Sequence, residues 1–148
     1  MIQFEQDTLF GAKIISTISF DEQEIIRDIL YLHADKKPID CDPTYSIGNF
    51  YKDGIPKPKH RFDKFPQSDD VVEATSDKLP LPAGSVNVLM FDPPFVIHGN
   101  SDAEVADGSC IINERFTGFK DWNDLKNMYS LSLIEFYRIL VGGGYCHF

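Results

Sequence analysis

Cations are scarce in this chain of 148 residues: 14 lysines and arginines stand against 23 aspartates and glutamates, a net charge of −9. Nucleic-acid binding begins with neutralising phosphates, so this balance weighs against such a partner. Cysteine is sparse as well. Cys41, Cys110 and Cys146 are odd in number with no close pair, which supports neither a disulfide frame nor a zinc site and suits a reducing compartment. His33, His60, His98 and His147 are equally scattered, so no metal site is expected. No apolar run reaches membrane-spanning length, and no basic segment followed by an apolar stretch opens the chain. A cytoplasmic protein without a membrane partner is therefore expected. Repeats and low-complexity tracts are missing too. What is present is an apolar fraction of 43% and an aromatic fraction of 13%, enough for one domain over 1–148 with a real core, residues 1–20 forming an N-terminal extension.

The elements follow from periodicity and punctuation. "ISTISF" (15–20) reads as a short strand. Residues 20–34 carry apolar side chains at 25, 26, 29, 30 and 32, a helical spacing, with Asp21 as N-cap. Brief strands are expected near 39–41, 60–62 and 71–74, and "VNVLMF" (86–91) reads as a buried one. Residues 96–120 are polar and contain Gly99, Gly108 and Gly118, so a long mobile loop is expected there. "WNDLKNMYSLSLIEFYRIL" (122–140) is an amphipathic helix stopped by Gly142-Gly143-Gly144, with a last strand over 144–148. Strands alternating with helices or long crossovers imply α/β architecture and a mainly parallel sheet, whose ligands gather at the carboxyl ends of the strands. Asp42, Asp63, Thr75 and Asp92 all fall at strand exits and should share one rim.

One exit is unusual. The strand 86–91 ends in Asp92-Pro93-Pro94-Phe95. Two prolines fix two φ angles and remove two N–H donors, leaving a stiff array of acceptors with a ring beside it. A group with two N–H donors and a flat face would suit that array. The bland alternative is a rigid turn with Phe95 in the core.

"DPPF" follows "SDKLPLPAGSVNVL" and precedes a long loop and "IEFYRILVGGGY". In that order these segments resemble the S-adenosylmethionine-dependent amino-methyltransferases, most closely the DNA adenine-N6/cytosine-N4 class of bacteria and phages, from about residue 20 to the end. The resemblance implies a Rossmann-like three-layer sandwich of the class I methyltransferase type. It also implies S-adenosylmethionine as cofactor and a nucleic-acid partner, DNA before RNA. Asp92 and the Pro93 carbonyl would accept the two hydrogens of an exocyclic base amine, Pro94 would stiffen the array, and Phe95 would stack on the extruded base. For the cofactor it points to Asp42, Thr44, Tyr45, Gly48 and Asn49 in "DPTYSIGNFY", to Asp63 in "RFDKF", and to Thr75 with Asp77. Gly48 stands where the family has two glycines, and Thr75 where it often has an acid. From the residues alone 42–51 reads nearly as well as a surface turn, and Asp63 as a solvated charge.

Lys52, Lys57, Lys59, Arg61 and Lys64, interleaved with Tyr51 and Phe62, form the one basic island, either a phosphate contact or a solvated loop. In the long loop Asn100, Asn113, Arg115 and Lys120 are candidates for nucleic-acid contact, against Asp102, Glu104 and Asp107; Phe119 and Trp122 are expected to pack at the helix start. The family fold continues past its fifth strand. Phe148 lies within that strand, so a C-terminally incomplete fold, or self-association through the open sheet edge, is expected. Two alternatives remain open: an RNA base-amine methyltransferase, and a non-catalytic remnant that binds nucleic acid or protein.

Overall fold

The computed structural model describes residues 8–9, 12–13, 18–95, 97 and 119–147. The chain begins with an antiparallel pair, β1 (Thr8–Leu9) and β2 (Ala12–Lys13). Then come α1 (Glu22–His33), β3 (Cys41–Asp42), β4 (His60–Asp63), β5 (Val72–Glu73), β6 (Val86–Met90), α2 (Trp122–Ile139) and β7 (Leu140–His147). The last five strands form one sheet in the order β5-β4-β3-β6-β7, and every neighbouring pair is parallel. The protein is thus α/β with an all-parallel five-stranded sheet. The strand expected over 15–20 lies partly outside the described residues, and 18–20 lead into α1 without strand pairing. The expected loop 96–120 also lies outside them, except for Ile97, Phe119 and Lys120.

α1 starts where Asp21 Oδ1 accepts from the amides of Gln23 and Glu24, at 2.9 and 3.4 Å, supplying acceptors that the first turn lacks. Ile26, Leu30 and Ala34, four residues apart, make its buried face. The spacing argument placed Ile25 and Leu32 inward too, but they are 42% and 55% exposed. The sheet takes only a narrow stripe of this helix. Asp35 and Lys36 then turn the chain at positive φ, and the Lys36 amide donates to the Leu30 carbonyl at 3.0 Å.

β6 is buried on both faces, the reason its sequence is apolar at every position but the half-buried Asn87. Val88 and Met90 meet α1, Tyr45, Tyr51 and Ile55, while Val86, Leu89 and Phe91 meet Phe136 and Ile139 of α2. The Phe91 ring stands edge-on to Phe136 at 4.8 Å and to Tyr129 at 5.8 Å. Full burial of a side chain such as Phe91 or Leu89 contributes about 1.5–3 kcal/mol.

α2 does not end at the glycines. Leu140 takes extended geometry (ψ 141°) while its amide still donates to the Phe136 carbonyl, and β7 begins there without a turn. The exposed carbonyls of Arg138 and Ile139 are met by the amides of Gly84 and Ser85, at 3.0 and 2.7 Å, so the turn entering β6 caps the helix. The three glycines instead absorb a register shift. The step from Val86 to Val88 on β6 is matched by the longer step from Leu140 to Tyr145 on β7, with Gly143 at φ +79°.

A second link fastens the same segment. Glu135 is buried; its Oε1 accepts from the Leu79 amide at 2.7 Å and from Arg138 Nη2 at 2.6 Å, and Arg138 donates onward to the carbonyls of Leu81 and Leu79. Glu135→Ala therefore leaves the Leu79 amide without its acceptor and frees Arg138. A cost of about 2 kcal/mol is expected, several degrees of melting temperature by circular dichroism. Arg138 holds the Glu135 carboxyl below its ordinary 4.5, so this contribution is whole above pH 4.5 and is lost as the pH falls below it. An unchanged melting temperature at pH 7 would refute the link.

Candidate functional site

From β3 the chain builds outward through β4 and β5, then returns to place β6 on the other side of β3. At that reversal the connections leave in opposite directions and a crevice opens at the carboxyl ends. Here it is a cleft of about 660 Å³. The β3 exit gives it Thr44, Tyr45 and Asn49; the β4 exit gives Asp63, Lys64 and Phe65; the turn after β5 gives Thr75, Ser76 and Asp77. Asp92, Pro93 and Pro94 come from the β6 exit, and Asp124, Asn127, Met128 and Leu131 from α2. The sequence placed Asp42, Asp63, Thr75 and Asp92 on one rim, and the parallel sheet puts them there, Asp42 and Asp63 as the last residues of their strands.

Asp42 and Gly48 stand behind the cleft wall. Asp42 is 1% exposed, yet its carboxylate is fully served: Tyr51 Oη donates to Oδ2 at 2.6 Å, and the Thr44 amide and hydroxyl donate to Oδ1 at 2.8 and 3.2 Å. Burial pushes its pKa up to about 6 against the lowering pull of these donors, and the nearby Asp92 adds a little. The same burial, with Asp42 alongside, drives the Tyr51 hydroxyl well above its ordinary value, so it remains a donor. Gly48 is at φ +73°, and a Cβ there would overlap the Tyr45 hydroxyl and ring. Its glycine is demanded by the packing of Tyr45, which stacks on Tyr51 at 5.3 Å.

Asp63 lines the cleft, but its oxygens already accept from the amides of Ser46 and Phe65, both at 2.8 Å. It fastens the β3 exit loop to the β4 exit and keeps its remaining lone pairs for a ligand. Asn49 is exposed, with Oδ1 accepting from Lys52 Nζ at 3.0 Å. Thr75 and Asp77 face the cleft from a turn closed by the Lys78 amide on the Thr75 carbonyl, at 3.0 Å.

Asp92 differs from all of these. Its amide donates to Thr44 Oγ1 at 2.9 Å, which fixes the backbone, but among the described residues its carboxylate has no hydrogen-bond or ion-pair partner. Partial burial, then the charge of Glu22, raises its pKa. Pro93 is buried and Pro94 half-buried beside it. Phe95 is 75% exposed and outside the cleft lining, so it is neither a core aromatic nor a wall of this cleft.

Other readings change. Tyr51 and Phe62 of the basic island are core residues. Arg61 is spent on the carbonyls of Pro58 and Asp70 and on the Asp70 carboxylate, leaving Lys52, Lys57, Lys59 and Lys64 as the exposed cations of the island. Trp122, expected to pack, is 74% exposed; Phe119 lines the cleft. The α2 contribution was missed, although Asp124, Asn127 and Leu131 recur at helical spacing on a face distinct from the buried one. Cys41 and Cys146 are free, and burial pushes the Cys146 thiol up to about 12. Among the described residues no group of three His, Cys, Asp or Glu side chains is placed to hold a metal ion, and no helix is long and apolar enough to cross a membrane. No family profile, curated protein sequence or solved structure matches this chain.

Folded protein holds the Asp42 proton to about pH 6, whereas the unfolded chain releases it near 3.8. Between those values the folded state binds more protons, so stability falls as pH rises through the window. Asp42→Asn removes that slope: its amide oxygen still accepts from the Thr44 amide, and its NH₂ faces Tyr51 Oη, which can accept. The variant should gain on the parent by up to about 3 kcal/mol between pH 4 and pH 7 in urea titrations. A constant difference across that range would refute the buried charge.

Proposed function

We propose that this protein transfers a methyl group from S-adenosylmethionine to the exocyclic amino nitrogen of a nucleic-acid base, adenine N6 of DNA before cytosine N4. The observation that carries this reading is the Asp92 carboxylate, its backbone fixed at the strand reversal, lining a cleft and without a hydrogen-bond or ion-pair partner among the described residues. Numbered from β3, the strand order is 3-2-1-4-5, the doubly wound order whose ligands sit at this crevice, which supports a Rossmann-like fold of the methyltransferase type.

The cleft suits the cofactor in size and charge. Its 660 Å³ is in the range of small-molecule sites, and Asp63, Asp77, Asp92 and Asp124 outweigh Lys64 in its lining, a net negative field that favours a sulfonium cation. Asn49, Asp63, Thr75 and Asp77 would hold it. When bound, S-adenosylmethionine supplies an electrophilic methyl group. Everything else falls to the chain's own residues. A base amine is a weak nucleophile because its lone pair is delocalised into the ring. Asp92 and the Pro93 carbonyl accept its two hydrogens and localise that pair on the nitrogen. A carboxylate with no donor among the described residues gains from such N–H groups, so the site favours the amine as its lone pair is freed. Prolines 93 and 94 keep the acceptors from turning away. Phe95, exposed at the mouth, is available to stack on an extruded base.

A second reading, a remnant that binds without catalysis, is favoured by one observation: Asp63 is engaged by two backbone amides, and Asp42 and Gly48 stand behind the wall. Calorimetry with S-adenosylmethionine separates the two. Micromolar binding supports the enzyme, and none at millimolar cofactor supports the remnant. Incubating DNA and RNA with labelled cofactor and identifying the methylated nucleoside then names the substrate. Within this reading Asp92→Ala should lower the single-turnover rate at least ~100-fold with cofactor affinity held within a few fold. Asp92→Asn, which keeps one acceptor without the charge, should fall between. Full activity in Asp92→Ala would remove the mechanism.

A further inference from the structure

β3 and β6 pair in register only at Cys41 and Leu89, and beyond that point the backbones diverge. The Phe91 amide bonds across to His147 of β7, away from β3. Among the described residues, a hydrogen-bonded side chain spans the gap. Thr44 Oγ1 donates to Asp42 Oδ1 at 3.2 Å and accepts from the Asp92 amide at 2.9 Å. A hydroxyl can do both at once, one proton outward and one lone pair inward, which neither a methyl nor an ammonium can. Its proton is committed because Asp42 is buried and acceptor-rich, and its rotamer is restricted by β-branching.

The geometry points to Thr44 as the residue that positions Asp92, a latch through which the 43–49 loop, on one side of the cleft, sets the place of the carboxylate on the other. Loop and carboxylate then form one unit. A ligand that orders the loop tightens the hold on Asp92, and by linkage a substrate bound at Asp92 favours the loop conformation that binds that ligand. This role in methyl transfer rests on the function proposed above; the latch itself does not.

Thr44→Val keeps the shape and removes only the hydroxyl. Asp42 keeps the Thr44 amide and Tyr51 as donors, so the variant folds. Thr44→Ser restores the hydroxyl without the methyl. In the full chain, exchange of the Asp92 amide, followed by NMR, should be about fivefold to tenfold faster in Thr44→Val, the worth of one hydrogen bond. In Thr44→Ser it should stay within about threefold of the parent. Unchanged exchange in Thr44→Val, or failure of serine to restore it, overturns the latch. In single-turnover assays Thr44→Val should lower the transfer rate more than the cofactor affinity, with serine recovering most of the rate; equal losses in both would reduce Thr44 to a ligand contact and overturn its positioning role. If the parent transfers no methyl group to any nucleic acid, the proposed function falls, and the exchange measurement still decides the latch.

Discussion

Adjacent parallel strands share backbone hydrogen bonds only while they run side by side. Where one connection turns left and its neighbour turns right, the bonds must stop, and both chain ends are left to be held by something else. In this protein that something is the carboxylate of Asp42, placed at the bottom of the gap and almost wholly out of water. Such a charge is expensive unless donors surround it. Three do: a tyrosine from the loop's far end, a backbone amide, and the hydroxyl that reaches across to the next strand. The shape of the loop, the stacking of Tyr45 on Tyr51 and the placement of Asp92 all follow from meeting that demand.

The cleft above it has two kinds of acid. Asp42 and Asp63 are saturated with protein donors and act as anchors, one beneath the wall and one within it. Among the described residues Asp92 is held by its backbone amide, and its carboxylate is uncommitted. Charge count does not distinguish them, but the hydrogen-bond inventory does. It separates the carboxylates that build the site from the one that is left for a ligand.

The sheet was legible because its evidence is local. A nearly all-apolar run such as 86–91 means a strand buried on both faces, and acids at strand exits fall on one rim in any parallel sheet. The caps at Asp21 and Asp121 were equally accessible to the eye, one of them read and the other passed over. What stayed hidden depends on partners distant in sequence. Glycines 142–144 look like a helix stop, yet the stop is supplied from residues 84 and 85, and the glycines serve a register shift that only β6 reveals. Gly48 reads as room for a ligand and turns out to be room for Tyr45. Arg61 reads as part of a basic surface and is consumed by carbonyls of its own neighbourhood. At the site, Asp92-Pro93-Pro94 was visible as an acceptor array, whereas the α2 wall was not, since a helix shows its buried face more plainly than a face turned to a cleft. The segments "LPLPAGS" and "IEFYRIL" occur together for a physical reason: Glu135 and Arg138 bind the backbone of the first, and its turn caps the second.

That clamp has a mechanical side. α2 is 18 residues long and passes into β7 without a joint, while its last turn is bolted to the entry of β6. Its opposite half, from Asp124 to Leu131, walls the cleft while Leu125, Met128 and Tyr129 seat it on the core. The helix is about 27 Å long at 1.5 Å per residue, so its two ends serve different parts of the fold. Over that length a tilt of about 3° would displace the far end by about 1.4 Å, half a hydrogen-bond length. The wall of the crevice is therefore anchored in part from its far side, by an ion pair and a capping turn that lie outside the cleft lining.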